Sequence, residues 1–404
     1  MRLLLLTFLS LLLYSCADEA PTLKTGDWRV NMELQDEMLL PFNIEFKADG
    51  TAVIRNADER IAITDIVQNG DSILIKHPVF AGEFQGVFTN ENEVEGDFII
   101  ANMERSIPFS MVHGDSERFR EVDPAQVQLG GTWKIEFTEN DGNTYPAQGV
   151  FEQQGNELTG TIRTETGDYR YLEGVVDGDS LKLSTFDGAH AFLFTAKATD
   201  STLNGGMFYS GNHYKAAFNG KLDPGYELAD PDSLTFLKPG YERFNFAFPD
   251  ADGKIWTLDD PQFKDKVVVV QLMGTWCPNC LDETKYFADY IARNPDSEVE
   301  FIALAIDYSK TPEPAFKAID RLKERMGLEY PIVLAQYGTN SKSEASEKLP
   351  MLNAVLSYPT TIVVDKKGAV RKIHTGFNGP ATGDKYTAFV TSFEAFLAEL
   401  QAEE

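Results

Sequence analysis

Cysteine is scarce: there are three in 404 residues. That excludes a disulfide-stapled scaffold, which needs several pairs. Basic residues are also short, 36 Lys and Arg against 63 Asp and Glu, for a formal net charge of −27. A surface this acidic repels phosphate backbones, so the chain is not a general nucleic-acid binder. Long hydrophobic runs are missing too. The stretch Leu3 to Leu13 is apolar but too short to cross a bilayer as a stable helix. What remains is 43% hydrophobic and 12% aromatic, enough for packed cores, and neither low-complexity disorder nor a multi-span membrane protein fits. The length suits about two to three domains.

Arg2 followed by the apolar run reads as a secretory signal over residues 1–15. It ends in Leu13-Tyr14-Ser15-Cys16, which resembles a bacterial lipobox. That resemblance implies cleavage before Cys16 and lipidation of its thiol. The expected location is then the bacterial cell envelope, outside the cytoplasm and anchored by acyl chains. Residues 16–25 read as a tether.

The next 200 or so residues alternate in short runs, such as Phe42-Asn43-Ile44-Glu45-Phe46, between Asn, Asp and Gly turns. There is an internal repeat. Gly26-Asp27-Trp28 returns as Gly131-Thr132-Trp133, and Gly70-Asp71-Ser72 as Gly178-Asp179-Ser180. The period is too long for a solenoid. Two all-β units, each a small barrel or sandwich, are expected at 26–115 and 128–221. A Gly-x-Trp on a first strand resembles lipocalin-like barrels, but large aromatics more often fill cores than hold ligands. Breakers such as Pro224-Gly225 and Pro239-Gly240 mark a linker at 222–242.

From 243 to 404 the pattern changes to alternating strands and helices, an α/β sandwich. Val267 to Leu272 suits a strand buried on both faces. Helices are expected at about 279–293, 312–326, 343–353 and 384–401. Strands are expected at 300–306, 331–335, Thr360–Val364 and Val370–Thr375.

Trp276-Cys277-Pro278-Asn279-Cys280 follows the buried strand and opens a helix. A thiol becomes a good nucleophile when it loses its proton, and a helix N-terminus favours the anion. Cys280 lies one turn further in, so one thiol can attack and the other resolve. Pro278 falls in the first turn, where a missing N–H costs little. With Cys16 set aside, these two cysteines pair with each other or with another molecule. A structural zinc site would need four ligands, and the five histidines are scattered, so no metal is expected.

Together with Tyr358-Pro359-Thr360-Thr361 and Asp365-Lys366-Lys367-Gly368, this motif makes residues 243–404 resemble the thioredoxin-like family, and closely its TlpA/ResA-type thiol-disulfide oxidoreductases. The resemblance implies a redox-active Cys277–Cys280 disulfide and a cis bond before Pro359. Trp276, Pro278, Tyr358 and Pro359 then shape the substrate groove, with Trp276 beside an exposed thiol. Glu283, three residues past the second cysteine, matches a glutamate of the ResA type and implies a proton role at Cys280. The alternative for Glu283 is a solvated helix charge, and Asp282 beside it shows that charges are tolerated in this stretch. Thioredoxins carry an acid six residues before the first cysteine; Gln271 stands there instead.

The implied activity is disulfide reduction without a metal or organic cofactor. The implied partners are protein thiol or disulfide substrates and a membrane electron-transfer reductant. Two alternatives remain open. One is a binding lipoprotein in which the β-units carry the function. The other is a peroxiredoxin-like antioxidant, which the absence of a Pro-x-x-x-Thr-x-x-Cys loop weakens.

Overall fold

The computed structural model describes residues 21–120 and 122–403. The proposed signal peptide and Cys16 lie outside them.

Alternating buried and exposed positions build two barrel-like antiparallel sheets of nine strands each. In the first, Gly26–Glu33 pairs on one side with Leu39–Phe46 and on the other with the last strand, Arg105–His113. In the second, Gly131–Thr138 pairs with Thr144–Gln154 and with the last strand, Tyr214–Leu222. Thr144–Gln154 also pairs with Glu157–Thr164, which pairs with Leu172–Asp177, so the ring closes. A closed sheet leaves few free edges.

The two repeated tryptophans sit alike. Each is fully buried, and each indole N–H donates to the carbonyl four residues back, Trp28 to Lys24 at 2.9 Å and Trp133 to Leu129 at 2.8 Å. Both fill cores, as large aromatics usually do. The sheets also lock to one another. Phe186 of the second stacks on Phe42 of the first with centroids 4.5 Å apart. Asn56 donates to the Phe186 carbonyl and accepts from its N–H.

The third unit is a five-stranded sheet in the order Ile332–Gln336, Val299–Ile306, Val267–Met273, Thr360–Val364, Val370–Thr375. The first three strands are parallel, Thr360–Val364 runs antiparallel to them, and Val370–Thr375, antiparallel to it, runs with the first three again. Val267–Met273 is central, and every residue in it is buried. This explains its unbroken apolar run. The helices are Pro278–Arg293, Pro312–Met326, Lys342–Lys348 and Asp384–Ala402.

Two expectations are corrected. The helix expected at 343–353 ends at Lys348, just before Leu349-Pro350, because the residue before a proline is pushed out of the α region. The linker at 222–242 is docked. A single turn, Pro231–Leu234, places Asp232 2.6 Å from His374 Nδ1, and Thr375 Oγ1 donates to Thr235 at 2.8 Å. The first sheet also reaches this unit: Val79 and Phe80 join its core, and Arg321 donates to the Val79 carbonyl.

Candidate active site

Cys277 is the N-cap of Pro278–Arg293, and the Cys280 N–H donates to its Sγ at 3.3 Å. Pro278 occupies the first turn, as a residue without an N–H can. Both cysteines are free and buried. Their surroundings differ. Cys280 is 0% exposed, and burial pushes its thiol well up, with the hydrogen bond to Cys277 adding to the effect. Cys277 is 7% exposed and lines a cavity of about 290 Å³. The thiol expected at the surface is therefore enclosed. The structural reason is that the second barrel covers this face.

The Tyr358–Pro359 bond is cis. The Cys277 thiol lies 3.4 Å from the Tyr358 carbonyl, to which it donates. The Trp276 ring meets Tyr358 edge-on and packs on Tyr308, and its indole donates to the Ile306 carbonyl at 3.0 Å. Trp276, Cys277 and Tyr358 line the cavity, while Pro278 and Pro359 do not. The Pro278 carbonyl is taken by Arg170 at 3.2 Å.

Glu283 is 0% exposed. It accepts from Thr361 Oγ1 at 2.7 Å and Gln271 Nε2 at 2.9 Å. Gln271 also reaches the Cys280 carbonyl, and its own Oε1 accepts from Thr284. Burial raises the Glu283 carboxyl to about 7, against the two hydrogen bonds that lower it. The carboxylate in turn helps to hold the Cys280 thiol up. The glutamine in place of the thioredoxin acid therefore orients Glu283.

This carboxyl predicts a pH dependence. If Cys280 resolves a mixed disulfide and passes its proton to Glu283, the carboxyl must be ionised to receive it. The resolving rate should rise as the pH passes about 7. Glu283→Gln should flatten that rise and slow the step on the order of 10²-fold, as measured by single-turnover kinetics. Stability runs the other way. The folded state holds this proton more tightly, so the contribution of Glu283 is complete below its ordinary value of 4.5 and is lost as pH rises through about 7.

Asp282 is no solvated charge either: it is buried and paired with Arg170 of the second barrel. Arg170 also binds Glu59 of the first sheet, and its Nε lies 3.2 Å from Asp187. Burial works against its charge, yet Asp282, Glu59 and Asp187 together hold the guanidinium well above its ordinary value. Asn279 Nδ2 donates to the Asp168 carbonyl at 3.0 Å and to the Phe377 carbonyl. Ser357 Oγ donates to the Thr166 carbonyl at 2.7 Å. Sequence reasoning missed Arg170, Asn279 and Thr361 as parts of the site. Asn279 carried a signal by its place between the two cysteines and Thr361 by its place just beyond Pro359 in a buried strand, whereas Arg170 carried none.

Residues 239–388 match the Redoxin family model. The C-terminal domain is a TlpA/ResA-like redoxin. The chain is 29% identical over 142 residues to the thiol-disulfide oxidoreductase ResA of Geobacillus thermodenitrificans, across 35% of this chain and 72% of that protein. It is 27% identical over 140 residues to ResA of Bacillus subtilis, across 35% of this chain and 69% of that protein. A solved thiol-disulfide oxidoreductase from Bacteroides fragilis is similar at 16% identity and a TM-score of 0.27, across 37% of this chain and 99% of that one.

Proposed function

We propose that the protein is a membrane-tethered, extracytoplasmic disulfide reductase. Cys277 attacks a substrate disulfide and Cys280 resolves the mixed disulfide, leaving a Cys277–Cys280 bond. Glu283 takes up the proton of Cys280, and a membrane electron-transfer protein returns the pair to the dithiol. The observation that carries this reading is the placement of the two sulfurs. Cys280 N–H donates to Cys277 Sγ at a helix start, beside a cis-proline loop and above a buried carboxyl held near 7. The names of the relatives agree with it. The barrels wall the cavity that leads to Cys277, which favours a part in substrate recognition over a separate binding function.

The test is catalysis with dithiothreitol as donor and a model disulfide as acceptor, using the purified protein. Turnover above the uncatalysed exchange supports the reading, and none overturns it.

The anchor rests on Leu13-Tyr14-Ser15-Cys16. Cells fed a labelled fatty acid should label the wild-type protein and not Cys16→Ala, which should leave the membrane fraction. Equal labelling of both would remove Cys16 from the proposal.

A further inference from the structure

The resemblance implies a substrate groove at the rim formed by Tyr358, the residue before the cis-proline. Here that rim is occupied from within. The turn Thr164–Asp168 of the second barrel crosses it, held by Ser357 at the Thr166 carbonyl and by Asn279 at the Asp168 carbonyl. The Gly379 N–H donates to Asp168 Oδ2 at 2.6 Å from the other side. The approach is close. A Cβ on Gly167 would lie 2.5 Å from Asn279 Nδ2, and one on Gly376 would lie 2.7 Å from the Thr166 backbone. Both glycines have positive φ, 139° and 77°, so neither accepts a side chain.

Cys277 is reached from a cavity beside this turn. The cavity at the thiol continues into a larger one of about 630 Å³ between the barrels and the redoxin domain, with shared walls at Thr164, Tyr169, His190, Trp276 and Lys342. The size suits a small molecule. Its charge is unusual for this chain. Arg105 lines the large cavity, Lys342 lines both, and among the described residues neither has an acid within ion-pair distance. Two free cations facing one cavity stand out in a protein of net charge −27. Lys342 is exposed as a residue, yet the protein around its ammonium desolvates it and holds it below the ordinary value. Glu139, which accepts from Tyr214 at 2.8 Å, and Glu165 also face the cavity. A ligand with an ammonium beside its carboxylate meets both signs.

We propose that this cavity binds a low-molecular-weight, amino-acid-derived disulfide, with Arg105 and Lys342 receiving its carboxylates and Cys277 attacking its sulfur. The proposal rests on the reductase reading above and names its substrate class. In the reaction the Cys277 thiolate forms a bond to one substrate sulfur, and the other leaves as a thiolate that takes a proton. Cys280 then attacks Cys277, gives its proton to Glu283, and expels the second substrate thiol. Two electrons pass from the protein dithiol to the disulfide, which becomes two thiols. A dithiol reductant restores the pair.

The test uses the full purified protein, reduced with dithiothreitol, desalted, and mixed with one disulfide at a time while protein thiols are counted. The disulfides are cystine, glutathione disulfide, neutral hydroxyethyl disulfide, cationic cystamine and insulin. Each rate is normalised to that of free dithiothreitol with the same disulfide. Cystine or glutathione disulfide should react about tenfold faster than hydroxyethyl disulfide or cystamine. General attraction to so acidic a protein would favour cystamine instead. In the Arg105→Gln, Lys342→Gln double variant, that preference should fall about tenfold. If insulin or cystamine reacts fastest, or if the preference survives the double variant, the small-disulfide proposal fails while the reductase reading stands. If no disulfide oxidises the thiols, the reductase reading itself fails.

Discussion

Cys277→Ser is expected to bring disulfide exchange down to the uncatalysed background, a loss of at least about 10³-fold, because a serine hydroxyl does not ionise near neutral pH and cannot form the mixed disulfide. The fold should persist, since the thiol supplies only a helix-cap acceptor for the Cys280 N–H, and a serine hydroxyl can fill that place. Cys280→Ser should behave differently. Its attacking sulfur is intact and lines the cavity, so the first step proceeds and then stops. The variant should accumulate one substrate half per chain, visible as a mass increase that dithiothreitol reverses. Full activity in Cys277→Ser would reassign the nucleophile.

Arg170→Met is expected to lower the unfolding free energy by about 3–5 kcal/mol, because it strands buried carboxylates. Arg170 is the shared partner of Glu59, Asp187 and Asp282, which lie in the first sheet, the second barrel and the active-site helix. All are buried or nearly so, so water can do little to replace the lost cation. A control is available at the surface. Arg293 pairs with Asp289 and Glu394 in the open, and Arg293→Met should cost no more than about 1 kcal/mol. Urea unfolding followed by tryptophan fluorescence distinguishes the two. Equal midpoints would show that the Arg170 cluster does not hold the barrels to the redoxin domain. Loss of the cluster should also loosen the Thr164–Asp168 turn and speed the alkylation of Cys277.

Much of the redoxin domain could be read from the sequence because its signals are local. Val267 to Leu272 is an unbroken apolar run since both of its faces are covered, and Cys277 and Cys280 announce themselves by spacing and by the strand before them. Glu283 could be placed by its position one turn along the same helix face. Its orientation could not, because Thr361 and Gln271 reach it from other strands. The enclosure of Cys277 was hidden for the same reason. Thr166, Asp168 and Arg170 belong to no motif, and their partners Ser357, Asn279 and Asp282 lie more than a hundred residues away. Asp282 illustrates the limit well. An acid on a helix beside another acid looks solvated until the arginine that buries it is seen.

The central claim is that Cys277 and Cys280 form one two-electron couple, and the most direct measurement is a redox titration of the purified protein. The protein is equilibrated in mixtures of reduced and oxidised dithiothreitol, exchange is stopped with acid, the unfolded chain is alkylated at neutral pH, and the products are weighed. The account predicts a single transition between a doubly alkylated chain and an unalkylated chain whose mass is two units below that of the dithiol protein, with the Cys277–Cys280 bond recovered in one peptide. Singly alkylated chains through the transition, or a protein that keeps both thiols at every potential, would contradict it.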